Sequence, residues 1–294
     1  MVHNSVDVIA KIIERDENLN SPNNKRAAKL RAKTVMFDEM TPSIIMAGFP
    51  MLDWIDIAMS PVCLPGEVDQ NANIMYVDAA ERMGLAADVC PLPSAEVGCA
   101  IVDDYPQVGS SFITSSMPCD GSLGAALFMD RYMKKLPSFT LTPPQRFNEP
   151  ETNAYAVKDL KNCIRFIEET YDVKWDWDAF WKKAEEYNKT TQCMLDKWDV
   201  NCTPYPQVIG SALSLQREYE FQTAACLDSF MTKQDEKVTK MMLKGYEEDR
   251  EADRRDYKYR AIVWCCPAHY YTQFLQPGRN IRGEFALWSI WKVC

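Results

Sequence analysis

The sequence predicts an α/β fold: an N-terminal parallel-sheet α/β domain, a helical middle region and an incomplete second α/β domain. Three observations predict it. Between residues 75 and 142, helical and strand-like stretches alternate, which is the signature of a parallel layer. From 153 to 199, apolar residues recur at helical spacing. At 259–264 the strand-like run YRAIVW follows a long charged stretch. The expected organisation is residues 1–150 for N-terminal helices plus an α/β domain, 151–255 for a helical packing region, and 256–294 for the start of a truncated second α/β domain.

Each element has its own warrant. Residues 1–35 read as helix, with Val6, Ile9, Ile12 and Ile13 on one face and a break at Asn/Ser/Pro near 20–24. The basic run KRAAKLRAK at 25–33 reads as a solvated helix. Residues 42–62 suggest a strand from Ser43 to Ala47, a turn at Gly48-Phe49-Pro50, then a helix. MYVDAAERMGLAADV at 75–89 is helical. SSFITSS at 110–116 is a buried strand. A helix follows Asp120-Gly121-Ser122 to about Lys135, and SFTLT at 138–142 is another strand. Val157, Leu160, Ile164 and Ile167 keep the 3-4 spacing of a helix. Tyr171 to Lys174 separates it from a second helix that Asp176 is placed to cap. Residues 209–246 read as one or two more helices, and the charges of 231–260 as a solvated face. YPQV occurs at 105–108 and 205–208 in unlike contexts and is no repeat.

Composition excludes several functions. The chain has 294 residues, 33 Lys plus Arg against 42 Asp plus Glu, and a net charge of −9. A domain that tracks nucleic-acid phosphates by charge should be basic, so nucleic acid is not the expected partner. No apolar stretch reaches the length of a membrane span, and the N-terminus does not match a secretory signal, so the expected location is cytoplasmic. Two histidines, His3 and His269, leave no material for a His-rich metal centre. Eleven cysteines, an odd number in an unsignalled chain, argue against a disulfide framework. Buried inert thiols, a thiolate-bound metal or cluster, and reactive cysteines remain.

The common signatures GxGxxG, Walker A, GxSxG, HExxH and CxxC are all absent. Two cysteines stand apart by context. Cys90 opens a Pro-rich turn, Asp88-Val89-Cys90-Pro91-Leu92-Pro93. Cys119 follows the strand at 110–116, in Met117-Pro118-Cys119-Asp120-Gly121. A thiolate at the carboxyl end of a parallel strand, beside a helix N-terminus, stands where α/β folds place ligands. From the residues alone, both metal ligation and an ordinary buried or turn role stay open for this pair. Cys265-Cys266 is a vicinal pair at a strand end before Pro267, open to a reactive or an ordinary role, since adjacent cysteines rarely bind one metal together. Cys163, Cys193, Cys202 and Cys226 read as packing residues.

At this point a family resemblance enters. MYVDAAERMGLAADVC at 75–90 resembles the helix before the first cluster cysteine of the 2-hydroxyacyl-CoA dehydratase and benzoyl-CoA reductase family. CPLPSAEVGCA and SSMPCDGS resemble its first and second cysteine motifs, in order. RFNEPETNAYAVKDLKNCIRFIEETYDVKWDWDAFWKKAEEYNK resembles its linker helices, and YRAIVWCCPAHYYTQFLQ the first strand of its second α/β domain. The resemblance covers roughly residues 40–294.

The resemblance implies a subunit that pairs with a homologous second subunit in a heterodimer, each holding a [4Fe-4S] cluster on three cysteines. It implies removal of water from an (R)-2-hydroxyacyl-CoA thioester. One-electron reduction to a ketyl radical lets the hydroxyl leave and acidifies the β-proton, and the electron then returns. ATP enters only through a separate iron–sulfur activator that injects the electron. Carried over by position, Cys90 and Cys119 are the first two cluster ligands. The third family ligand lies beyond the end of this sequence, and the terminal Cys294 is not assigned to it. No catalytic residue is carried over. The serine that precedes a Phe-Pro pair in catalytic-type subunits has no counterpart beside Phe49-Pro50. Pro61-Val62-Cys63 stands in place of a Pro-Glu-Asn motif, and Glu67 is out of register with it. The motif forms CPL and CDG look more like the partner subunit, so substrate and partner roles both stay open. The alternatives are a benzoyl-CoA reductase type subunit, an inactive fragment acting as an interaction module, and a cofactor-free α/β protein.

Overall fold

Four short strands form one parallel sheet in the order β2-β1-β3-β4. The computed structural model describes residues 25–37, 43–56, 73–104, 108–116, 120–132, 136–144, 149–208, 213 and 229–255. The chain divides into two units, Met1–Trp181 and Lys182–Cys294. The first carries α1 (Lys25–Arg31), β1 (Thr34–Phe37), a 3-10 turn (Ser43–Gly48), β2 (Asp53–Asp56), α2 (Ile74–Arg82), α3 (Pro91–Ile101), β3 (Ser111–Ser115), α4 (Asp120–Tyr132), β4 (Ser138–Leu141) and α5 (Pro150–Tyr171). The unit boundary falls inside α6 (Trp177–Asn201), and α7 (Ser229–Glu251) belongs to the second unit. The expected α/β class is what the structure has.

The sheet is buried on both faces, as parallel sheets are, so its central strands are continuous apolar or small runs. Every residue of β1 and of β3 is buried. Met36 stands opposite Ile55 and Phe112 in the ladder. These three share a core with Ala80, Leu85, Val97, Cys99, Ala100 and Ala125, so α2, α3 and α4 cover that face. Ile113 and Phe139 are register partners on the other face, where Phe139 packs on Phe166 of α5 at 5.6 Å between ring centres.

Four expectations are corrected. Thr34–Phe37 is a strand and not the end of the first helix; its run of four buried residues pairs with both neighbours. Ser43–Gly48 is a 3-10 turn, not a strand, because β1 and β2 already pair directly and this stretch is the crossover between them. Asp53–Asp56 is a strand where a helix was expected after Pro50. The helix expected over 75–89 ends at Arg82, followed by Gly84 in the left-handed region at φ 103°. The helices of 1–24, the strand of 259–264 and the cysteines at 226, 265 and 266 lie outside the described residues.

The linker between α5 and α6 is pinned to the amino end of the sheet. Asp172 closes α5 in the left-handed conformation, with φ 50° and ψ 50°. The Asp176 amide donates to the Gly48 carbonyl at 2.9 Å, and its carboxylate caps α6 by accepting from the Ala179 amide at 3.0 Å, as expected. Gly48 has no room for a side chain: a β-carbon there would stand 2.5 Å from the Trp175 ring. Around that ring gather Phe49, Trp177 and Phe180, at 5.1 to 5.3 Å between centres.

Tyr171 ties α5 to two strands at once. Its hydroxyl donates to the Thr34 carbonyl at 2.8 Å, while the Ser110 and Ser111 hydroxyls lie 3.2 and 2.7 Å from its oxygen. Burial pushes this phenol above its ordinary range, and the two serine hydroxyls act against that rise. The Thr34 carbonyl also accepts from the Ser110 amide, so Tyr171→Phe leaves it satisfied. The expected cost is therefore about 1–2 kcal/mol, read as a lower urea midpoint with an unchanged slope. No loss would mean that the hydroxyl hub contributes nothing net.

Candidate functional site

Cys90 is the N-cap of α3. The expected Pro-rich turn is instead the first turn of that helix. Pro91 occupies the first helical position, where its missing amide hydrogen would have had no intrahelical partner and its fixed φ suits the helix. The Cys90 backbone is extended, at φ −50° and ψ 134°, and its side chain makes no capping hydrogen bond. Its thiol is free and its residue exposed. Ser94 locks the cap from behind. Its amide and hydroxyl both donate to the Cys90 carbonyl, at 3.3 and 2.9 Å. The sulfur thus sits on a fixed backbone at the N-terminus of α3.

The body of α3 is rigid because it is surrounded. Every residue from Pro93 to Ala100 is buried, including the charged Glu96. Gly98 permits the tightest contact: a β-carbon there would fall 1.8 Å from the Tyr76 carbonyl oxygen of α2. Cys99, nine residues further along α3, is buried where Cys90 is exposed. Burial, with the Asp104 and Glu96 charges adding to it, pushes its thiol up to about 12, against a lowering by Tyr76. Burial likewise pushes the Cys163 thiol up to about 12, with Asp159 adding to the rise. Cys163 is fully buried, as expected of a packing residue. Cys193 and Cys202 are half-buried, and the Cys202 thiol donates to the Trp198 carbonyl.

The strand order places a topological switch point between β1 and β3. From β1 the chain crosses outward to β2, and from β3 it crosses the opposite way to β4. In open α/β sheets the crevice at the carboxyl ends of such strands is the ligand side. The ladder runs on past β3, where the Ser116 amide donates to the Leu141 carbonyl. Cys119 falls between Ser116 and the start of α4, and it lies outside the described residues together with Glu67 and Cys294. Among the described residues, no three His, Cys, Asp or Glu side chains gather as a metal site requires. Cys90 has features that suit a ligand: an exposed thiol, no side-chain capping hydrogen bond and a stiff mount. Phe49, by contrast, is fully buried against Trp175 and is a packing residue.

The residues did not reveal the Tyr171 hub or the burial of Glu96. A tyrosine at the end of a helical pattern and a glutamate inside one carry no signal of their tertiary partners. Among the described residues no helix is long and apolar enough to cross a membrane.

A comparison with the curated proteins finds no match. The family model described as 2-hydroxyglutaryl-CoA dehydratase, D-component, matches residues 67–276. That span holds α2 through α7, both cysteine motifs and the linker helices, and it is well over half of the chain. The chain belongs to the 2-hydroxyglutaryl-CoA dehydratase D-component family, and is thus a dehydratase subunit of the 2-hydroxyacyl-CoA type.

Proposed function

We propose that this subunit takes part in removing water from an (R)-2-hydroxyacyl-CoA thioester. In this reading it works in a cytoplasmic heterodimer with a homologous second subunit, and a separate iron–sulfur ATPase activator delivers the electron. Cys90 and Cys119 hold iron of a [4Fe-4S] cluster, whose remaining ligation comes from elsewhere in the assembly. When bound, the cluster supplies one-electron chemistry at low potential.

The observation that carries this is the exposed, uncapped Cys90 thiol on a backbone fixed by Pro91 and Ser94. The chain's own residues do the positioning. Ser94 and Pro91 set the direction of the Cys90 sulfur. The buried body of α3 anchors that backbone in the core.

The test is anaerobic iron and sulfide analysis with EPR, on the chain co-expressed with its homologous partner. Cys90→Ala and Cys119→Ala are each expected to lose most of the iron bound by this subunit. Cys202→Ala, in the second unit, should retain it. Unchanged iron in Cys90→Ala would overturn the ligand assignment. Absence of iron from the unmodified subunit in the complex would overturn the cluster reading itself.

A further inference from the structure

The linker between α5 and α6 leads into a shelf of exposed tryptophan. Trp177 and Trp181, one turn apart at the start of α6, are 54% and 59% exposed. Their rings stack at 6.3 Å between centres and 24° between planes. Phe180 and Trp175 back them at 5.1 to 5.9 Å. Met51, two residues past Phe49, is 45% exposed. Apolar residues exposed singly are ordinary, whereas indoles held together on a rigid base mark a contact surface. The base is rigid because Trp175 fills the space that a Gly48 side chain would need, and the Asp176 amide holds the Gly48 carbonyl. A surface ordered in advance binds without paying to order itself. The shelf stands at the amino end of the sheet, and the dehydratase reading, which uses the carboxyl ends, gives it no role.

The sequence supplies a complementary stripe. Val2, Val6, Ile9 and Ile13 recur at four, three and four residues, the spacing of one helical face, while Asp7, Lys11 and Glu14 fall on the opposite face. Asn20-Ser21-Pro22-Asn23-Asn24 separates the stripe from α1. These residues lie outside the described ones, but the point where the described chain begins is informative. The Asp53 amide donates to the Lys33 carbonyl at 2.9 Å, and the Leu52 amide donates to the Phe49 carbonyl at 3.0 Å. The chain leaving α1 therefore meets the Phe49–Trp175 cluster at one end of the sheet. Lys25 stands about 12 Å along α1 from Lys33. The eleven residues Glu14–Asn24 reach about 36 Å when extended, enough to bring Ile13 to the shelf. A segment tethered in this way has an effective concentration of about a millimolar. It occupies the shelf ahead of a second copy or a free partner at micromolar concentration.

We infer that residues 2–13 dock on this shelf as an amphipathic helix, laying Val2, Val6, Ile9 and Ile13 against Trp177, Trp181 and Met51. Aliphatic side chains on indole faces bury apolar area and strand no polar atom. The docked segment is a strap across the amino end of the sheet. It ties the chain ahead of β1 to the linker that follows α5.

The experiment places a photo-cross-linking benzoylphenylalanine at position 181 of the full chain, which keeps an aromatic ring there. Mixing light and heavy-isotope chains before irradiation separates adducts within one chain from adducts between copies. Mass spectrometry should find the adduct on residues 2–13 of the same chain. Ile9→Asp/Ile13→Asp should lower that adduct at least about tenfold, and Ile9→Val/Ile13→Val should retain it. Adducts confined to another segment, or between light and heavy chains, would overturn the inference and name the true occupant. Irradiation that yields no adduct on residues 2–13 would overturn it as well, whatever the aspartate variant does to folding.

Discussion

Gly98→Ala is expected to destabilise the first unit by about 3 kcal/mol or more, even though it improves helix propensity. The two effects oppose each other. Alanine in a helix interior gains about 1 kcal/mol over glycine. Against that, the new β-carbon would stand 1.8 Å from the Tyr76 carbonyl oxygen and 2.4 Å from its carbon. Those atoms are backbone of α2 and cannot rotate away. The helices must separate by more than 1 Å, in a core that also holds Val97, Cys99 and Ala80. Close-packed interiors do not absorb such a shift cheaply, so sterics win over propensity. Thermal unfolding should show a midpoint lower by about 6–12 °C. A variant as stable as the parent would mean that α2 and α3 are not in this contact in solution.

The thiols should separate by reactivity over several orders of magnitude. In the iron-free native protein, alkylation at pH 8 is expected to modify Cys90 and leave Cys99 and Cys163 untouched. The thiolate is the nucleophile, and a group raised to about 12 holds only about one part in ten thousand as thiolate at pH 8. An ordinary thiol near 8.5 holds about a quarter. Burial adds a steric block to that deficit, since both residues are fully buried. Raising the pH toward 12 should recruit them only as far as the protein unfolds. Peptide mass spectrometry after a timed pulse gives the rates. Cys99 labelling at the Cys90 rate in folded protein would contradict the packing of α3. Repeating the pulse on iron-loaded complex should protect Cys90, which ties the measurement to the proposed ligand.

The legible parts of the fold were those whose signal is local. β3 and β4 are bounded by turn residues, and α5 and α6 run for 22 and 25 residues with apolar spacing and a visible cap at Asp176. β1 was hidden because a fully buried parallel strand lacks alternation, and TVMF follows a basic helix with no breaker between them. β2, Asp-Trp-Ile-Asp, is four residues long with acids at both ends, and only its pairing with β1 makes it a strand. At the site, the position of Cys90 was legible but its setting was not. Two prolines nearby read as a turn, whereas Pro91 in the first turn of a helix is compatible with it. The family resemblance, and not the spacing of the cysteines, made Cys90 and Cys119 ligand candidates.

The strand order also bears on how the chain reaches this fold during synthesis. β1 is central, yet one of its two neighbours, β3, comes about 75 residues later. At roughly 5–20 residues per second, the ribosome takes about 4–15 s to supply it. Throughout that interval one flank of Thr34–Phe37 has unpaired peptide groups and no helix layer from α3 or α4 to cover it. An early chain of this length is thus a template for illegitimate strand addition. Expression yield should therefore respond to chaperone supply during translation more than to the equilibrium stability of the finished subunit.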